Sequence, residues 1–99
     1  MSRWISTDVR LPEDYTEAII TFVNVNPVPY YEQIKGIPMT GFAIYFMGQW
    51  RWWSPTGVDI LKEYGKGAVG GIMSDDIKVI AWQSMPEPYE AESYEADGE

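Results

Sequence analysis

Between Gly41 and Trp53 the chain reads GFAIYFMGQWRWW, and this run limits the possible folds more than any other segment. Two stretches rich in aromatic and β-branched residues flank Gly48-Gln49, where glycine can supply the positive φ of a tight loop. The pattern predicts a β-hairpin with strands Phe42–Met47 and Trp50–Trp53. Large rings are unfavourable in water and need a core to enter. With 5 Trp and 7 Tyr among 99 residues, they supply the apolar surface that a short domain otherwise lacks.

Other segments can build around that hairpin. Ala18–Val25 (AIITFVNV) has the composition of a strand, with one alternate set of residues fully apolar and the other nearly so. Such a strand is covered, at least in part, on both faces. Asn26-Pro27-Val28-Pro29 ends it, because prolines cannot sit inside a central strand. Tyr30–Thr40 is interrupted by Gly36 and Pro38 and specifies no element. After a turn at Ser54–Gly57, Val58, Ile60, Leu61 and Tyr64 recur at helical spacing, with Lys62 in the last turn and Gly65 as a stop. A short helix over Val58–Tyr64 is expected, and Lys78–Gln83 reads as the last strand before Pro86 and Pro88. The expected fold is α+β: a small, mainly antiparallel sheet of about four strands with one short helix. No internal repeat is visible.

The charge is unevenly placed. The net charge is −8, yet Glu87, Glu90, Glu92, Glu95, Asp97 and Glu99 fall in the last 13 residues without a Lys or Arg among them. Through Pro86 nine acids face seven basic residues, a balance of −2. A single globular domain over 1–89 with a disordered acidic tail over 90–99 follows. With no basic surface to neutralise phosphates, direct nucleic-acid binding is not expected. No apolar stretch approaches the roughly 18 residues of a membrane span, and the first 11 residues lack the apolar stretch of a signal peptide. A cytoplasmic location is the expectation. The absence of Cys and His excludes disulfides, thiolate and imidazole metal sites, and the Ser-His-Asp triad. The chain is read as a non-enzyme without a cofactor.

The two ends carry a pairing of motifs. WISTDVRLPED at Trp4–Asp14 and VIAWQSMPEPYE at Val79–Glu90 resemble the uncharacterised family catalogued as domain of unknown function 551. That family opens on W-I-S…L-P, carries a Gly…Trp turn in a later aromatic strand, and closes on an H-W-M-P-L-P-E-P-like segment. The matching residues are Trp4, Ile5, Ser6, Arg10, Leu11 and Pro12, then Tyr45 through Trp50, then Trp82, Met85, Pro86, Glu87 and Pro88. The family's closing histidine is Ala81 here, its M-P-L-P is reduced to Gln83-Ser84-Met85-Pro86, and Ser54–Ile77 is longer than its pattern. The resemblance implies a phage or prophage accessory protein and supplies no catalytic residue. Burial of Trp4 and Trp82 against the hairpin would tie the N-terminal arm to the last strand.

Four constellations bear on function. Strand alternation places Trp50 and Trp52 on one face and Arg51 and Trp53 on the other. Either the helix covers Trp53 beneath Val58 and Leu61, or Trp53 is exposed and marks a binding surface. Tyr30 and Tyr31, in an irregular segment, offer contact area at low entropic cost. Gly65–Gly71 (GKGAVGG) lacks the spacing of a phosphate-binding loop and reads as a flexible surface loop. Asp59, Glu63, Asp75 and Asp76 match no cation-binding spacing and read as a solvated face. Two functional readings follow. In the first, a phage-encoded module binds a host protein through Trp53, Tyr30, Tyr31 and Arg51 and inhibits a bacterial defence system such as CRISPR–Cas; a homodimer would use the same surface. In the second, Trp50, Trp52, Lys66 and Gly67 capture a small ligand such as a nucleotide signal.

Overall fold

A computed structural model describes residues 3–87 of the chain, so the tail expected over 90–99 lies outside the described residues. Five strands form one sheet: β1 (Ile5–Ser6), β2 (Thr16–Asn24), β3 (Met39–Phe46), β4 (Gln49–Trp52) and β5 (Ile77–Ser84). Their order is β1-β5-β2-β3-β4, and every neighbouring pair is antiparallel. The α+β class holds, with five strands in place of about four. The extra strand lies in the N-terminal arm, where Ile5 and Ser6 pair with Trp82 and Ala81. Two residues are too few for alternation to reveal.

Composition decides how each face of the sheet is covered. On one face β2 presents Ala18, Ile20 and Phe22, opposite Ala43 and Gly41 of β3 and Trp82 of β5. Small residues occupy the centre and rings the border. Ala18, Ile20 and Ala43 are fully buried, with Phe22, Trp50, Trp52, Ile5 and Met73 packed against their cluster. Phe22 meets Trp52 edge to face at 5.1 Å, and Tyr45 meets Trp50 at 4.9 Å. A β-bulge after Thr21 shifts the pairing from Ala81 to Val79, which puts Val79 and Trp82 in the same cluster.

The opposite face is covered in part by the helix α1 (Pro55–Tyr64). Val58 and Leu61 of α1 and Ala68 beyond it enclose Ile44 and Phe46, and Trp53 packs against this second cluster. The helix begins three residues before the expected Val58. Ser54, extended, accepts a hydrogen bond from the Gly57 amide at its Oγ, and Pro55 occupies the first turn. Ser-Pro-Thr-Gly is therefore a helix cap and first turn, not a free turn.

The hairpin pairs Phe46 with Gln49, so its loop is Met47-Gly48, one residue earlier than Gly48-Gln49. Met47 and Gly48 both have positive φ (50° and 79°), the requirement of a type I′ turn. The N-terminal arm joins β5 at the sheet edge far from the hairpin. Trp82 is buried there, but Trp4 is 38% exposed, so only one of the two rings enters the core.

Candidate functional site

The residues expected to bind a partner occupy three different environments. Tyr30 and Tyr31 lie in the β2–β3 connection, on a 3-10 stretch Pro29–Ile34 that is kinked at Tyr31 and buries none of its residues. Pro29 starts the stretch, and the Gly36 amide donates a hydrogen bond to the Asn24 carbonyl that closes the connection at its base. Tyr30 is 82% exposed and Tyr31 51% exposed, with their rings edge to face at 4.9 Å. Val25, Val28 and Ile37 of the same connection are exposed as well.

Trp53 is half-buried. Its indole Nε1 donates to Glu17 Oε1 at 2.9 Å, and Lys62 Nζ lies 3.8 Å from Glu17 Oε2. This chain of polar contacts joins β2 to α1 while the ring packs on the helix-side cluster. Trp53 also lines a hollow of about 510 Å³ with Tyr15, Glu17, Met85, Pro86 and Glu87. Trp53 is thus neither fully covered by the helix nor fully exposed.

Arg51 is not on the surface at all: it is 5% exposed. Its Nη1 donates to the carbonyls of Ala68 at 2.8 Å and Gly70 at 3.3 Å. The glycine-rich segment is thus held by Arg51 with its carbonyls inward, the opposite of a phosphate cradle built from amides. The same segment covers the outer edge of β4, since the Trp52 amide donates to the Gly71 carbonyl. Gly71 has φ 77°, and a Cβ there would stand 3.0 Å from the Trp52 carbonyl oxygen. Instead of a flexible loop, Gly65–Gly71 opens with a 3-10 turn, Gly65–Gly67, and closes against the sheet.

The residues expected to capture a small ligand do not come together. Trp50 and Trp52 pack in the ring-bordered cluster, while Lys66 and Gly67 follow α1 on the other side of the sheet. Lys66 instead lines a cleft of about 210 Å³ with Phe46, Met47, Gln49 and Arg51. The sequence carried a signal for that cleft, because alternation sends Arg51 and Phe46 to the helix side, but an arginine is ordinarily read as exposed. A second feature that sequence reasoning missed is Phe42, 54% exposed in mid-strand where α1 no longer covers β3.

Among the described residues no three acidic side chains gather closely enough to hold a metal ion. No helix among them is long and apolar enough to cross a membrane. A scan against protein-family models finds no match, and searches of curated proteins and of solved structures return none.

Proposed function

We propose that this chain is a non-enzymatic protein-binding module whose contact surface centres on Tyr30 and Tyr31 in the β2–β3 connection. The observation that carries the reading is their exposure as a ring pair on a stretch that contributes nothing to the core. Apolar and aromatic side chains displayed together in one connection, with Val28 and Ile37 beside the tyrosines, favour burial against another protein. Arg51 is withdrawn from this surface by its burial, and Trp53 serves mainly to join β2 to α1. The nucleotide reading is not favoured, because its four residues occupy opposite sides of the sheet. The motif resemblance of the two chain ends supports a phage-encoded protein that binds a bacterial host protein in the cytoplasm, with a defence system such as CRISPR–Cas as the target class.

The test compares capture of bacterial proteins by the wild type and by Tyr30→Ala/Tyr31→Ala, after sedimentation has established whether the free chain self-associates. Both positions are exposed, so the variant should melt as the wild type does. Loss of a central interface aromatic weakens binding by about 2–4 kcal/mol, enough to remove the partner from a washed resin. A partner held equally by both proteins overturns the assignment.

A further inference from the structure

The tyrosine surface leaves one unusual feature of the interior without a role. Arg51 is enclosed under the Gly65–Gly71 segment, yet no carboxylate stands within ion-pairing distance of it among the described residues. Its guanidinium bonds to described residues leave from Nη1 alone, to two neutral carbonyls, and its enclosed Nε has no acceptor. A buried cation compensated only by neutral dipoles is electrostatically unfinished. The same guanidinium lines the cleft that Lys66 flanks from the surface. Phe46, Met47 and Gln49 complete the lining, and none of the five residues is acidic. In a chain of net charge −8, two cations here share a small concavity that no acid lines.

We infer that this cleft is a binding site for a small oxyanion group, a phosphate or a carboxylate. A planar guanidinium presents several N–H donors at fixed angles and suits such a group, while Lys66 adds a mobile second charge at the rim. Gln49 adds a neutral donor to the lining, and Phe46 and Met47 add apolar surface. The cleft, about 210 Å³, has room for one oxyanion group. Arg51 thereby does two things: Nη1 holds the loop in place, and the delocalised charge of the guanidinium stands beside the cleft that the residue lines. The site is independent of the tyrosine surface, and either can fail without the other.

The experiment titrates the full-length, ¹⁵N-labelled protein with inorganic phosphate and, in a second arm, with acetate, each against sodium chloride at matched ionic strength. Saturable shifts are expected at the Arg51 Nε–H signal and at the Gln49 and Lys66 amides. Saturation by phosphate alone assigns a phosphate group, and saturation by both anions assigns oxyanions in general. Lys66→Gln, at an exposed position that leaves the melting temperature unchanged, should weaken the apparent Kd about fivefold or more. Arg51→Lys, which keeps a charge but loses the planar fork, should abolish saturation. If Arg51→Lys fails to fold, Lys66→Gln decides alone. Shifts that chloride reproduces, shifts that never saturate, or an unchanged Kd in Lys66→Gln overturn the assignment.

Discussion

Met47 carries a side chain through a left-handed backbone conformation, φ 50°, that costs most L residues about 1–2 kcal/mol. The position persists because Phe46 and Gln49 must pair across a two-residue turn, and because Asp14 Oδ1 accepts the Met47 amide at 2.7 Å. Asparagine tolerates this conformation, and Asn-Gly is the preferred type I′ pair. Met47→Asn should therefore stabilise the protein by about 0.5–1 kcal/mol in urea unfolding. Ser54 is the converse case, since its Oγ satisfies an amide that the helix cannot. Ser54→Ala should lower stability by about 1 kcal/mol, read in the same experiment. Arg51 shows why single residues resist reading from sequence. Its alternation is visible, but the carbonyls that make its burial possible come from Ala68 and Gly70, 17 and 19 positions away.

At the scale of elements, the face of the sheet without the helix closes by a contrast of sizes. A Cβ on Gly41 would stand 3.0 Å from Phe22 Cε1 and 3.2 Å from Trp52 Cζ3, so the two rings close over a space that only glycine leaves. Gly41→Ala should cost about 1–3 kcal/mol by displacing them, and the near-ultraviolet circular dichroism of the tryptophans should change with it. The strands themselves were legible because alternation and β-branching act locally. Thr16–Asn24 differs from the expected Ala18–Val25 by two residues at its start and one at its end, and the hairpin appears where GFAIYFMGQWRWW put it. Local signals miscarried where one residue serves two purposes. Pro55 and Gly57 read as turn formers, yet they sit inside the first turn of α1 under the Ser54 cap. Residue type and irregular surroundings both point to Tyr30 and Tyr31 as surface groups, whereas only its type points Arg51 to the surface.

Across the whole molecule, the sheet protects its two edges differently. The Gly65–Gly71 segment and the bridge from Ile72 to Arg51 cover β4. The arm covers β5: the Thr7 amide donates to the Ile80 carbonyl, and Trp82 Nε1 donates to the Arg10 carbonyl beneath the Arg10 guanidinium. Removing residues 1–10 would uncover Trp82 and the β5 edge together, with a stability loss of about 2 kcal/mol or more and association of the shortened chain in sedimentation velocity. In the β2–β3 connection, Pro29–Ile34 buries none of its residues. Its exposed tyrosines lie outside both clusters, as the proposed partner surface requires. Amide hydrogen exchange of the full chain, alone and with its captured partner, tests that claim most directly. Binding should slow exchange across residues 25–37, and Tyr30→Ala/Tyr31→Ala should abolish the effect at unchanged global stability. Unaltered exchange in 25–37, with protection confined to the hairpin or the N-terminal arm, would contradict it.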